Sequence, residues 1–170
     1  MFRILKALSA ALPLVLAAGF VTADTLAKPE GAVILTISGA IAHENADGAA
    51  VFDLAMLEAL DQRNTVTETP WYDGPQEFTG PTLATLLALV GAEGSTLRVI
   101  ALNDYAAEMP VSDTTDAPVI LATRHQGNLM SVRDKGPLFV IYPFSEMPRL
   151  NNEMYFSRSV WQVKAIEVLP

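Results

Sequence analysis

The chain predicts a mixed α+β domain, on three observations. Several short apolar, β-branched runs are bounded by Gly, Pro and polar turn formers; two segments carry apolar residues at helical spacing; and the order reads strand, helix, strand, helix, then mostly strands. Short runs that are apolar throughout are what strands buried on both faces look like. No internal repeat, low-complexity tract or long linker divides them.

Residues 32–37 are apolar and lie between Gly31 and Gly39, which reads as a buried strand. Asp47-Gly48 reads as a helix start, because Phe52, Met56 and Leu60 then recur at helical spacing while Asp53, Glu58 and Asp61 take the other sides. Residues 65–69 alternate as a strand would, until Pro70-Trp71-Tyr72-Asp73-Gly74-Pro75 breaks the pattern with turn formers. The clearest element follows. Gly80 can cap, Pro81 suits the first helical position, Leu83, Leu86, Leu87 and Val90 keep the i, i+3, i+4, i+7 rule, and Gly91 ends the helix. Residues 97–102, 119–122 and 138–142 read as strands buried on both faces, residues 112–118 as a polar loop, and residues 163–169 as the last strand.

Residues 1–23 predict export. Arg3 and Lys6 make a short basic start, residues 7–23 carry no charge, and Val21-Thr22-Ala23 places small residues ahead of Asp24 where a signal peptidase would cut. The competing reading is an uncleaved anchor, since 17 uncharged residues approach the roughly 17 to 25 that span a bilayer. Pro13 and the small-x-small site favour cleavage. Arg3 and Lys6 stand apart, unlike a twin-arginine start, so Sec-type export of an unfolded chain to the periplasm or the medium is expected, and such a chain cannot carry a cofactor inserted in the cytoplasm.

Cleavage leaves 147 of the 170 residues, one domain able to bury about 68% of its unfolded surface. Two of the 11 basic residues but none of the 19 acidic ones precede Asp24, so the processed chain carries nine against 19, a net charge of −10. That balance argues against nucleic acid or an anionic membrane as partner. The absence of cysteine excludes disulfides, thiolate nucleophiles and thiolate metal ligands together.

Three stretches carry a family resemblance. The run Phe78-Thr79-Gly80-Pro81-Thr82-Leu83-Ala84-Thr85-Leu86-Leu87 resembles the G-x-x-L-x-x-L-L start of the sulfite-oxidase-like molybdopterin-binding domain. Residues 127–143, with Gly127, Leu129, Arg133-Asp134, Gly136-Pro137-Leu138 and Pro143, are similar to its central G-x-x-L…R-D-x-G-P-L…P segment. Arg158-Ser159-Val160 through Ile166-Glu167-Val168 resembles its last strand, so the match spans residues 52–168 in order. The resemblance implies a strongly bent, mainly β core with a few short helices, and a pocket that in the enzymes holds the pterin and its phosphate.

The departures bear on chemistry. In the enzymes a cysteine ligates molybdenum from the segment ahead of the G-x-x-L helix, whereas residues 65–71 offer none, and soft thiolate ligation is lost. The family's last motif often reads Arg-x-Val-Lys-Trp; this chain keeps Arg158 and Val160 but has Trp161 at the lysine place, and Phe139 where many relatives have Arg. One phosphate-binding charge remains where the family would have two or three.

Other chemistry finds little support. His43 and His125 lack the i, i+4 pairing of a zinc helix, and no Gly-x-Ser-x-Gly elbow is present, although a dispersed Ser, His, Asp triad is not excluded by sequence. Asp134-Lys135-Gly136 reads as a solvated turn. No catalytic residue or metal ligand is assigned.

The candidate pocket residues are Trp71, Asn103, Asp104, Tyr105, Arg124, His125, Arg133 and Arg158. Asn103-Asp104-Tyr105 follows an apolar strand and resembles the family's D-G-Y turn at its pocket, with a plain Asx turn as the other reading. Arg124 and His125 end the strand from Val119, and with Arg133 and Arg158 they would make a local positive site in an acidic chain. Surface ion pairing is the alternative for each arginine, and core packing for Trp71. The favoured function is an exported, non-catalytic domain that binds a small anionic or heterocyclic ligand, or docks on a membrane-bound signalling or redox protein, with no cofactor expected. The alternative is a molybdopterin-dependent oxidoreductase without a cysteine ligand to the metal.

Overall fold

A run that is apolar at every position must be covered on both faces, and the fold provides two cores to do so. In the computed structural model, which describes residues 26–170, β7 (Ile120–Ala122) and β10 (Phe139–Ile141) pair antiparallel between those cores. Leu121 and Val140 enter the larger core, while Ile120, Ala122, Phe139 and Ile141 join Phe78 and Met130 in the smaller. The expected leader, residues 1–23, lies outside the described residues. Among the described residues no helix is long and apolar enough to cross a membrane.

The larger core sits under a five-stranded sheet ordered β2-β1-β11-β5-β6, from β1 (Leu35–Gly39), β2 (Ala49–Phe52), β5 (Thr96–Ala101), β6 (Ala106–Pro110) and β11 (Val163–Leu169). β1 runs parallel to β11 and the other neighbours are antiparallel. Leu35 and Ile37 are buried and alternate with half-buried Thr36 and Ser38, so this sheet shows one face to the core.

A second sheet is ordered β3-β4-β8-β9, from β3 (Gln62–Thr69), β4 (Tyr72–Pro81), β8 (Arg124–His125) and β9 (Asn128–Leu129). Backbone hydrogen bonds carry it round a bend into the first. Thr123 N–H donates to Thr79 C=O and Leu83 N–H to Val119 C=O, tying β4 to β7; Val140 N–H donates to Val160 C=O and Val163 N–H to Leu138 C=O, tying β10 to the entry of β11. At the corner a Cβ on Gly80 would stand 2.1 Å from the Leu121 carbonyl oxygen, so only glycine lets β4 cross β7. The result is the strongly bent, mainly β architecture with a few short helices.

Several local readings are corrected. Asp47-Gly48 starts no helix: residues 49–52 form β2, and α1 (Leu54–Glu58) begins after Asp53, whose carboxylate accepts from the Met56, Glu30 and Gly31 N–H groups at 2.9, 2.9 and 2.7 Å. These donors hold the Asp53 carboxyl below its ordinary range, Met56 foremost. Gly80 and Pro81 do not cap α2 (Leu83–Leu89) but end β4, and the cap is Thr82, whose Oγ1 accepts from Thr85 N–H. Gly91 does leave the helix with φ +59°. The turn formers after Thr69 interrupt the strand for only two residues: Pro70 and Trp71 make the hairpin turn and β4 starts at Tyr72.

Two helices come from segments read otherwise. The polar stretch expected to be a loop holds α3 (Ser112–Asp116), which buries Asp113. Between the last two strands lies α4 (Glu153–Arg158), capped by Asn152, whose side chain accepts from Met154 N–H, with Glu153 in the first turn and Arg158 in the last.

Candidate functional site

Where β5 turns into β6, Asn103 Oδ1 accepts from Tyr105 N–H at 3.1 Å and Asp104 adopts φ +66°, an Asx turn that projects Tyr105. The tyrosine hydroxyl reaches across to the Ser157 carbonyl of α4 at 3.4 Å. Trp71, at the β3–β4 turn, meets Phe156 of α4 with ring centroids 6.1 Å apart and Trp161 at 5.8 Å, both edge to face. These four aromatic side chains border a half-open cavity of about 430 Å3, within the usual range for small-molecule sites. Asn103, Glu153, Ser157 and Ser159 supply its polar lining, and Glu153 is the only formally charged side chain among the described residues that line it.

The chain's two tryptophans both border this one cavity. Trp71 also packs on buried Phe139 at 5.4 Å, so it is a core residue and a cavity wall at once. A second depression of about 450 Å3 is lined by Val33, Thr36, Leu102, Val132 and Lys164. It has no aromatic side chain, which leaves the first as the better-formed site.

Of the residues expected at a pocket, Trp71, Asn103 and Tyr105 meet here. Asp104 turns aside to accept from Lys164 Nζ at 2.6 Å, and that lysine holds its carboxyl below the ordinary range. Arg124, His125, Arg133 and Arg158 line neither of these two cavities, so the expected positive charges do not gather at either mouth. Arg158 Nη1 donates to Asp113 Oδ2 at 2.9 Å and its guanidinium lies 5.3 Å from the Tyr155 ring. Arg124 Nε donates to Glu58 Oε1 at 2.7 Å and its Nη1 to the Gly127 carbonyl. Arg133 stands exposed on a 3-10 turn, residues 132–134, without an ion pair among the described residues.

His125 stacks on Phe78 at 4.8 Å and meets the Tyr72 ring at a tilt at 4.7 Å, with Nε2 bonded to Gln76 Oε1 at 2.8 Å. Burial, and secondarily the Lys135 charge, hold its imidazole below the ordinary value while Asp134 pulls the other way. The unfolded chain therefore takes up a proton that the folded chain refuses as pH falls below about 6.5. This contribution to stability is complete above that pH and is lost as pH falls through the lower native value. Melting of the wild type at pH 7.5 and 5 should show a drop that His125→Phe reduces; an unchanged drop would mean that other groups carry it.

Glu153, Phe156, Ser157, Ser159 and Trp161 were not among the expected site residues. The available signal was Asn152-Glu153, a cap followed by an acid, which marks a helix start between the last two strands.

No family model matches the chain, and no curated protein matches it. Among solved structures, it is similar to the sulfane dehydrogenase SoxCD from Paracoccus pantotrophus, with a TM-score of 0.60 and 18% sequence identity over 79% of this chain and 37% of that one. The chain thus spans little more than a third of that relative's length. At this identity the likeness establishes the fold, a mixed α/β domain of the sulfite-oxidase-like type.

The residues present do not fit the molybdopterin group that such a fold implies. The chain has no cysteine, and among the described residues no group of three His, Cys, Asp or Glu could hold a metal. Arg158, the retained phosphate-binding candidate, is occupied by Asp113; Phe139 is fully buried; Trp161 and Glu153 give the cavity an aromatic wall and a negative charge.

Proposed function

We propose that the chain is an exported, non-catalytic ligand-binding domain, in which a sulfite-oxidase-like frame presents an aromatic cavity to a small heterocyclic or similarly compact ligand. The observation that carries this reading is a half-open cavity of about 430 Å3 bordered by Trp71, Tyr105, Phe156 and Trp161, with Asn103 and Glu153 at its polar edge. Export rests on Arg3, Lys6 and the Val21-Thr22-Ala23 site ahead of Asp24. An anionic ligand is disfavoured, because Glu153 lines the cavity while Arg124 and Arg158 are paired with Glu58 and Asp113.

Metal and pterin analysis of protein purified from its native source tests the non-catalytic part. The expected result is a processed chain with far less than one molybdenum per molecule and no sulfite turnover. Near-stoichiometric molybdenum with a pterin absorbance would establish the oxidoreductase instead. Both tryptophans border the cavity, so ligand entry should change the intrinsic fluorescence directly.

A further inference from the structure

Resting on that ligand-binding reading, we infer that the cavity selects a small organic cation, an alkylated ammonium or a cationic heterocycle, over its uncharged counterpart. An aromatic face is negative at its centre, and tryptophan attracts cations most strongly of the three rings. Trp71 and Trp161 stand steeply inclined with centroids 5.8 Å apart, and Trp71 and Phe156 at 6.1 Å, and all three rings border the cavity together with Tyr105. Tyr105 closes the enclosure through its contact with the Ser157 carbonyl. The geometry is that of an open aromatic cage.

The charges agree with the rings. Glu153 contributes the cavity's one formal charge, and it is negative. Two nearby cations are committed elsewhere: Lys164 to Asp104 at 2.6 Å and Arg158 to Asp113 at 2.9 Å. Lys135 lies outside the cavity lining; its Nζ sits 4.5 Å from the centroid of Tyr72, which does not line the cavity, and 6.0 Å from that of Trp161, which does. The whole chain is acidic, with a formal net charge of −8, and its field draws cations rather than anions toward any opening. The Ser157 and Ser159 hydroxyls donate to the Met154 and Tyr155 carbonyls, which leaves the Asn103 side-chain amide as the group that can orient a hydroxyl or amide on the ligand.

Matched pairs separate charge from shape. Choline against dimethylbutanol, its uncharged carbon isostere, and the N-methylnicotinamide cation against nicotinamide are titrated into the processed protein, with tryptophan fluorescence and calorimetry as readouts and inorganic phosphate as the anion. The expected result is that the cation of at least one pair binds about 5- to 30-fold more tightly than its partner. Glu153→Gln should weaken the cation about 2- to 5-fold and leave the neutral partner unchanged. Trp161→Leu should weaken both while the melting curve stays cooperative. Equal or tighter binding of both neutral partners overturns the cation preference and leaves a ligand-binding cavity. Phosphate binding tighter than either cation, or silence of all five compounds at millimolar concentration, overturns that reading as well.

Discussion

Asp113→Ala is expected to cost about 3 kcal/mol of folding stability, read from urea unfolding. Asp113 Oδ2 accepts from the Tyr142 hydroxyl at 2.7 Å and from Arg158 Nη1 at 2.9 Å. Tyr142 is fully buried, and the Asp113 and Arg158 side chains are 10% and 18% exposed. Burial first, and the carboxylate beside it, push the Tyr142 hydroxyl far above its ordinary range, so it stays a donor. Truncation leaves a guanidinium without its counter-charge, and a hydroxyl whose remaining contact is the Met109 sulfur at 3.9 Å. Asp113→Asn keeps an acceptor and should cost less, about 1 to 3 kcal/mol. Adding Arg158→Met to Asp113→Ala should give a total smaller than the sum of the single losses, because the second change removes the stranded charge. Strict additivity would show that the two residues act independently and return Arg158 to the ligand-binding candidates.

This network shows what the sequence could not disclose. Arg158 meets a carboxylate 45 positions away and Arg124 one 66 positions away, and nothing local to either arginine names its partner. In an acidic chain a few arginines look available until the fold assigns them. Trp71, Asn103 and Tyr105 were legible because turns place side chains at an edge of the core, where a cavity has room to form. The other half of the cavity comes from α4, whose short amphipathic signal was masked by its position between strand-like runs.

The fold itself was more legible than the site. The predicted last strand, residues 163–169, is β11, and the apolar runs ending at Ala122 and Tyr142 contain β7 and β10, since full burial forces full apolarity. Propensity misled where tertiary contact decides. Gly80-Pro81 has the chemistry of a helix start, yet the close passage of the Leu121 carbonyl claims the glycine for a strand crossing. Residues 112–116 look like a solvated loop because the acid that is buried there carries its partners from elsewhere in the chain.

The departures from the family pattern make a sharper test, because they differ in burial. Phe139→Arg, which would introduce the charge expected from the resembled family pattern, should leave the domain mostly unfolded at 25 °C. Phe139 is fully buried, packs on Trp71, Phe78 and Trp161 at 5.4, 5.9 and 6.1 Å, and otherwise sees apolar Ile120, Ala122 and Ile141. Losing a buried phenylalanine costs about 3 to 5 kcal/mol on truncation, and an unpaired buried charge adds several more. A domain of this size has only about 5 to 15 kcal/mol in total. Phe139→Leu, which keeps the site apolar, should cost about 1 to 3 kcal/mol and remain folded. Trp161→Lys restores the other family charge at a position 39% exposed, so near-ultraviolet circular dichroism should show a folded protein. That variant should nevertheless lose any preference for cations, because an ammonium replaces one ring of the cavity and stands near Glu153. If Phe139→Arg folds and binds phosphate, the buried aromatic wall is more adaptable than its packing indicates and the frame still accommodates an anion. Unfolding of Phe139→Arg beside a folded, cation-blind Trp161→Lys would show that the core refuses a charge at position 139, whereas the cavity rim accepts one at position 161 at the expense of cation binding.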